Sequence, residues 1–225
     1  MRRVRRRCSR GIWRALRHRP SVGPRCRDCR SIRAALERTA RSLEGLGHTI
    51  EHEPVPHAES AQDVVYTLIY SDAARVHAER LRDDPHSFQA ATRERISLGL
   101  TISDDQRSAA LRQRDVFRAA MAEYFRDTDV IVTPAMPIDV PPIDDSAGVL
   151  GQSRRMGQLT YPWSLHDGPT LAVPIGFHPV SGMPIGAQLT AARGREAILF
   201  ALAEQLEGLT HLHLRRPPIS VDQTG

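Results

Sequence analysis

The sequence predicts an α/β fold, a sheet covered by helices. Two observations carry that expectation. Apolar residues recur at helical spacing in several separated stretches, and between them the period changes to short continuous apolar runs of strand length. A third observation is size, because 225 residues at 40% hydrophobic content suffice for a sizeable core.

Order is expected to begin at Ser31. "SIRAALERTARSLEGLG" sets Ile32, Ala35, Leu36, Ala40, Leu43 and Leu46 on one helix face and closes with Gly47, a suitable residue just past a helix end. "HTIEHEPVP" is short, extended and Pro-terminated, so an edge or terminal strand follows. From Ser60 to Leu81, Val64, Val65, Leu68, Ile69, Ala73 and Val76 mark a second helix face, ended by "RDDP". A third helix starts at Ser103, with Gln106 placed to complete a capping box, and carries Val116, Phe117, Ala120, Met121 and Tyr124 toward the core.

"DVIVTP", Asp129 to Pro134, then reads as a strand buried on both faces, followed by a stretch stiffened by Pro134, Pro137, Pro141 and Pro142. "TLAVPIG" and "MPIGAQLTA" form two strands joined through Gly182. The last element is a helix in "GREAILFALAEQLEG", with Ile198, Leu199, Leu202, Ala203 and Leu206 on its inner face.

Charge divides the chain unevenly. The total is +5, yet residues 1–30 hold twelve Arg against one acid, Asp28, so the rest is net acidic. All 31 basic residues are Arg and none is Lys, which closes any mechanism needing a lysine in this chain. The expected organisation is an Arg-rich, disordered arm at residues 1–30, a folded region at 31–217 and a tail at 218–225. Cys8, Cys26 and Cys29 all lie in the arm, an odd and clustered set that gives no disulfide framework and fits a reducing, cytoplasmic location. No apolar run approaches the roughly 20 residues that span a bilayer, so no membrane partner is expected.

Candidate chemistry is sparse. Ser164, His166 and Asp167 are the residue types of a nucleophilic triad, but three members within four positions cannot generally hold the Ser–His–Asp hydrogen-bond chain, and turn formation explains them. Cys26-x-x-Cys29 lacks the second half of a zinc site, and His211-x-His213, on one face of a strand, lacks a third ligand. No metal and no cofactor are therefore expected. The acid pairs Asp83/Asp84, Asp104/Asp105 and Asp144/Asp145 are accounted for by capping and solvation. The arm could bind nucleic acid through its arginines, but Trp13 is its lone aromatic, too few for interleaved base stacking.

Five segments in order, "AALERTARSLEGLGHTIE", "RERISLGLTISDDQRSAALRQRD", "FRDTDVIVTPAMP", "PWSLHDGPTLAVPIG" and "SGMPIGAQLTAARGREAILFALAEQLE", resemble the C-terminal part of the amidase signature family. The resemblance runs from about Ser31 to Pro217. It implies part of a mixed β-sheet flanked by helices, and amide carbon–nitrogen bond cleavage by a Ser–Ser–Lys machinery.

It also implies that "DVIVTP" carries Pro134 and Met136 to the rim of a substrate pocket walled further by Trp163, Ser164, His166 and Asp167. Ser164 stands where the family usually has Asn and Asp167 where it has Gly, while Pro169, Val173, Pro174 and Gly176 match.

The nucleophilic Ser, the bridging Ser and the Lys base lie upstream in family members, and no such Gly/Ser-rich run is present here. The resemblance therefore implies a C-terminal fragment, from a truncated gene or a mis-assigned start, inactive alone, with no catalytic residue of its own. A small amide is the implied ligand once a separate N-terminal half is supplied. A non-catalytic subunit of such a half is the alternative, and an Arg-arm polyanion binder a second. A half-sheet is also expected to expose strand edges and apolar faces, leaving the body weakly stable unless a partner covers it.

Overall fold

The computed structural model describes residues 12–15, 27–141 and 149–216. Five strands form one sheet in the order β2-β1-β3-β5-β4. They are β1 (Ile12–Ala15), β2 (Thr49–Glu51), β3 (Val130–Pro134), β4 (Thr170–Phe177) and β5 (Pro184–Thr190). β1 runs parallel to β2 and β3, while β5 is antiparallel to β3 and β4, so the sheet is mixed.

β3 behaves as its sequence requires, since all five of its residues are buried. Alternation along it sends Val130 and Val132 to one face, where Leu189 and Ala187 of β5 and Val173 of β4 meet the inner faces of α1 (Arg27–Gly45) and α8 (Glu196–Thr210). Ile131 points the other way. There it joins Val64 and Val65 of α2 (Ala61–Val76), Phe117 and Met121 of α5 (Asp104–Tyr124), and Trp163 of α7 (Tyr161–Leu165). Between α2 and α5 lie α3 (Ala78–Asp83) and α4 (Ala90–Leu98), and α6 (Val149–Gly157) precedes α7.

Several local signals act as the sequence predicts. α1 ends in a Schellman arrangement, with Gly47 N–H on the Glu44 carbonyl (2.9 Å), His48 N–H on the Leu43 carbonyl (3.1 Å) and Gly47 at φ +89°. Ser103 and Gln106 close the capping box at the start of α5. The β4–β5 hairpin turns through Gly182 at φ +70°.

Other expectations are corrected. Ile12–Ala15 is a strand between β2 and β3, and α1 starts at Arg27, so the folded region does not begin at Ser31. A run of arginines masks Ile12 and Trp13, the two residues of good strand propensity in β1. The second helix breaks at His77 and is rotated from the expected face: Ser71 and Ala74 are buried, whereas Ile69 is 54% and Val76 77% exposed. Val116 and Leu46 also face out. His211 takes a left-handed backbone after α8, and His213 lies in a 3-10 turn rather than a strand.

Cys8, Cys26, Asp144 and Asp145 lie outside the described residues. No described helix is long and apolar enough to cross a membrane.

Candidate functional site

The site is built where β3 leaves the sheet. Ala135 N–H still reaches the Gly186 carbonyl (2.9 Å), one residue beyond the strand, and Met136 follows as a half-buried residue. Pro134 itself is buried. Met136 borders a small cleft of about 30 Å³ with Ile138, Ile185 and Gly186. The buried His178 and half-buried Asp139 close it, His178 Nδ1 lying 3.0 Å from Asp139 Oδ2.

α7 packs on the Ile131 face of the sheet and does not line that cleft. It is a five-residue helix with Pro162 in its first turn, and it buries Pro162, Trp163 and Leu165 while exposing Ser164. The Trp163 indole donates to Thr133 Oγ1 at 3.0 Å, so α7 is tied to β3. Gln188 Nε2 reaches the Pro134 carbonyl (3.1 Å), the Leu159 carbonyl (3.1 Å) and Thr133 Oγ1 (3.3 Å). Trp163 and the Pro134 carbonyl are thus linked to the same Thr133–Gln188 pair.

Ser164, His166 and Asp167 are adjacent without forming a triad. The Ser164 hydroxyl donates back to the Thr160 carbonyl at 3.3 Å. His166 is buried, stacks on Phe125 with ring centres 5.3 Å apart, and donates from Nε2 to the Ala191 carbonyl at 3.0 Å. Asp167 is 3.8 Å from both His166 Nδ1 and Arg193, beyond hydrogen-bond length. No proton path leads from Ser164 to His166. Among the described residues, no three His, Cys, Asp or Glu side chains group as metal ligands.

Beside α7 stands a cluster that sequence reading missed. Tyr66 and Tyr161 share a 2.7 Å hydroxyl–hydroxyl hydrogen bond, and Tyr161 donates on to the Ser153 carbonyl at 3.4 Å. Tyr70 packs on Tyr66 at 5.0 Å, and Arg154 lies over the Tyr66 ring at 4.7 Å. Arg95 donates to Ser153 Oγ at 3.3 Å, while its Nε is buried without a hydrogen-bond partner. Burial first, then the bond to Tyr66 and the neighbouring phenols, pushes the Tyr161 hydroxyl far above its usual pKa. Burial and Tyr66 raise Tyr70 in the same direction. The only sequence signal was Tyr66 and Tyr70 one helical turn apart, since Arg95 and Tyr161 come from distant segments.

These features define a helix-covered mixed sheet in which Ser164 and His166 form no nucleophile–base pair. A model of the family described as Amidase matches residues 26–200, and the chain belongs to that family. It is 30% identical over 157 residues to the AtzE component of 1-carboxybiuret hydrolase, itself named as one of that enzyme's subunits, from Pseudomonas sp. strain ADP, covering 68% of this chain and 34% of that protein. It is 27% identical to a glutamyl-tRNA(Gln) amidotransferase subunit of Lysinibacillus sphaericus, covering 83% and 42%. Among solved structures, 6-aminohexanoate cyclic dimer hydrolase with its substrate superposes at a TM-score of 0.80 over 95% of this chain and 48% of that one, at 21% identity, a likeness of fold. The chain spans less than half the length of each.

Proposed function

We propose that this chain is the C-terminal, pocket-wall part of an amide-hydrolysing enzyme whose nucleophilic Ser, bridging Ser and Lys come from sequence outside these 225 residues. The observation that carries the reading is chemical. The chain has no lysine, and the Ser164–His166–Asp167 grouping is engaged elsewhere, Ser164 on Thr160 and His166 on Ala191. Arginine cannot stand in as the base, because a guanidinium with a pKa above about 12 stays protonated. Pro134, Met136, Trp163, Ser164, His166 and Asp167 then shape the wall, and none of them performs the acyl transfer.

The substrate class that fits is an amide or ureide bearing a carboxylate. Arg95 offers a guanidinium edge whose Nε lacks a partner, beside phenols held in the neutral, donating state. One relative is named for a carboxylated substrate, carboxybiuret, in keeping with that chemistry.

The test is ammonia release from aliphatic, aryl and carboxylate-bearing amides. The purified chain alone is expected to give none. Mixed with a Ser- and Lys-bearing amidase half it should turn over, with Arg95→Met raising KM for the carboxylated amide more than for its neutral counterpart. Turnover by the chain alone, with contaminating amidase excluded, would overturn the reading.

A second reading is a non-catalytic subunit that pairs with a separate catalytic half. Two of the relatives are themselves named as subunits. Co-purification of a lysine-bearing partner would favour it.

A further inference from the structure

We infer that Gln188 is the positioning residue of the pocket wall, its carboxamide setting the distance between the β3 exit at Pro134 and the α7 entry at Leu159. This rests on the reading of Pro134 and Trp163 as wall residues. Gln188 is 6% exposed, and a buried carboxamide is tolerated only when its donors are used.

The strand period explains how it arrives there. Ala187 and Leu189 on either side point into the α1/α8 core, so Gln188 faces α7, directly across the ladder from Thr133. Its Nε2 has two hydrogens and meets three acceptors. The two carbonyls at 3.1 Å, Pro134 and Leu159, are the better placed, and Thr133 Oγ1 at 3.3 Å takes a shared contact.

Leu159 is buried and lies outside every strand ladder, and its carbonyl accepts from the Gln188 side chain. Thr133 Oγ1 also receives the Trp163 indole. One side chain thus couples β3, β5 and α7 at the point where the wall is formed.

A packing role and a positioning role make different predictions for Gln188→Met, which keeps the length and much of the volume but removes both donors. The measurement is ¹⁵N NMR of the Trp163 indole N–H in the full chain, assigned by Trp163→Phe, with deuterium exchange of peptides covering residues 130–137 and 157–166. In Gln188→Met the indole resonance should shift and its exchange accelerate at least about tenfold, in line with two buried carbonyls left unpaired. Both peptides should exchange faster while the α8 peptide is unchanged.

Thr133→Val is the internal control, expected to move the indole and leave the Leu159 peptide as it was. If Gln188→Met does not fold, Gln188→Asn keeps the donors on a side chain one methylene too short to span both carbonyls, and the same signals should change. A folded Gln188→Met or Gln188→Asn with parental indole shift and exchange would overturn the proposal. Because no step reads amide hydrolysis, failure here leaves the amidase reading standing, and the converse also holds.

Discussion

His166 donates its Nε2–H to the carbonyl of Ala191 at 3.0 Å. A carbonyl can only accept, so Nε2 carries a proton, and Nδ1 is turned toward Asp167. The bond pins the turn between α7 and β4 onto the end of β5. A Cβ on Gly168 would fall 2.4 Å from both partners, the imidazole nitrogen and the Ala191 oxygen, so a side chain cannot enter without breaking their contact. Gly168→Ala is expected to cost about 2–4 kcal/mol, combining overpacking with a lost buried hydrogen bond. Denaturant unfolding checks it, and a change under about 0.5 kcal/mol would show that the turn relaxes freely.

The same geometry makes Ser164 dispensable. Its hydroxyl is exposed and makes one long bond to its own helix, so Ser164→Ala should alter stability by no more than about 0.5 kcal/mol. In an assembled enzyme it should leave turnover within a few fold. A loss of several orders of magnitude, the size expected on removing a nucleophile, would restore Ser164 to the chemistry.

How much of this is legible in the sequence depends on range. β3 is legible because burial on both faces leaves a continuous apolar run, and the hairpin and α8 because their apolar residues keep the right period. β1 is not, since four strand residues inside an arginine-rich stretch carry no periodic signal of their own and are ordered by pairing with β2 and β3. The phase of α2 misleads after Leu68, where exposed apolar residues at Ile69 and Val76 imitate a core stripe.

At the site, Pro134 and Trp163 stand in segments that the sequence shows only as a strand end and a Pro-rich loop. What joins them cannot be seen locally. Gln188 bonds residues 29 and 54 positions away, and Tyr66 meets Tyr161 across 95.

The capping box, a signal that is fully local, gives a clean stability test. Ser103 Oγ accepts from Gln106 N–H at 3.2 Å, and Gln106 Oε1 accepts from Ser103 N–H at 2.8 Å, satisfying two of the amides that α5 leaves open at its start. Ser103→Ala should cost about 1 kcal/mol and Ser103→Gly only a few tenths, readable as a shift in the unfolding midpoint. Equal effects of the two variants would mean that the cap contributes nothing specific.

The tyrosine cluster makes stability sensitive to alkali. The Tyr161 hydroxyl is held far above its usual value near 10, chiefly by burial, then by its bond to Tyr66 and the proximity of the Tyr66 and Tyr70 phenols, with Arg154 opposing weakly. A group with a raised folded-state pKa contributes stability that is complete below its unfolded value and is lost as pH climbs toward the folded one. Above about pH 10 the unfolded chain ionises Tyr161 while the folded chain holds it neutral, so unfolding gains and the midpoint should fall. Tyr161→Phe removes the titrating group, so its stability should decline less steeply between about pH 10 and 12 than the parent's, despite a lower value at neutral pH from the Tyr66 bond it gives up. Thermal melts of both proteins across that window decide the matter, and parallel pH profiles would place the alkaline sensitivity outside this cluster.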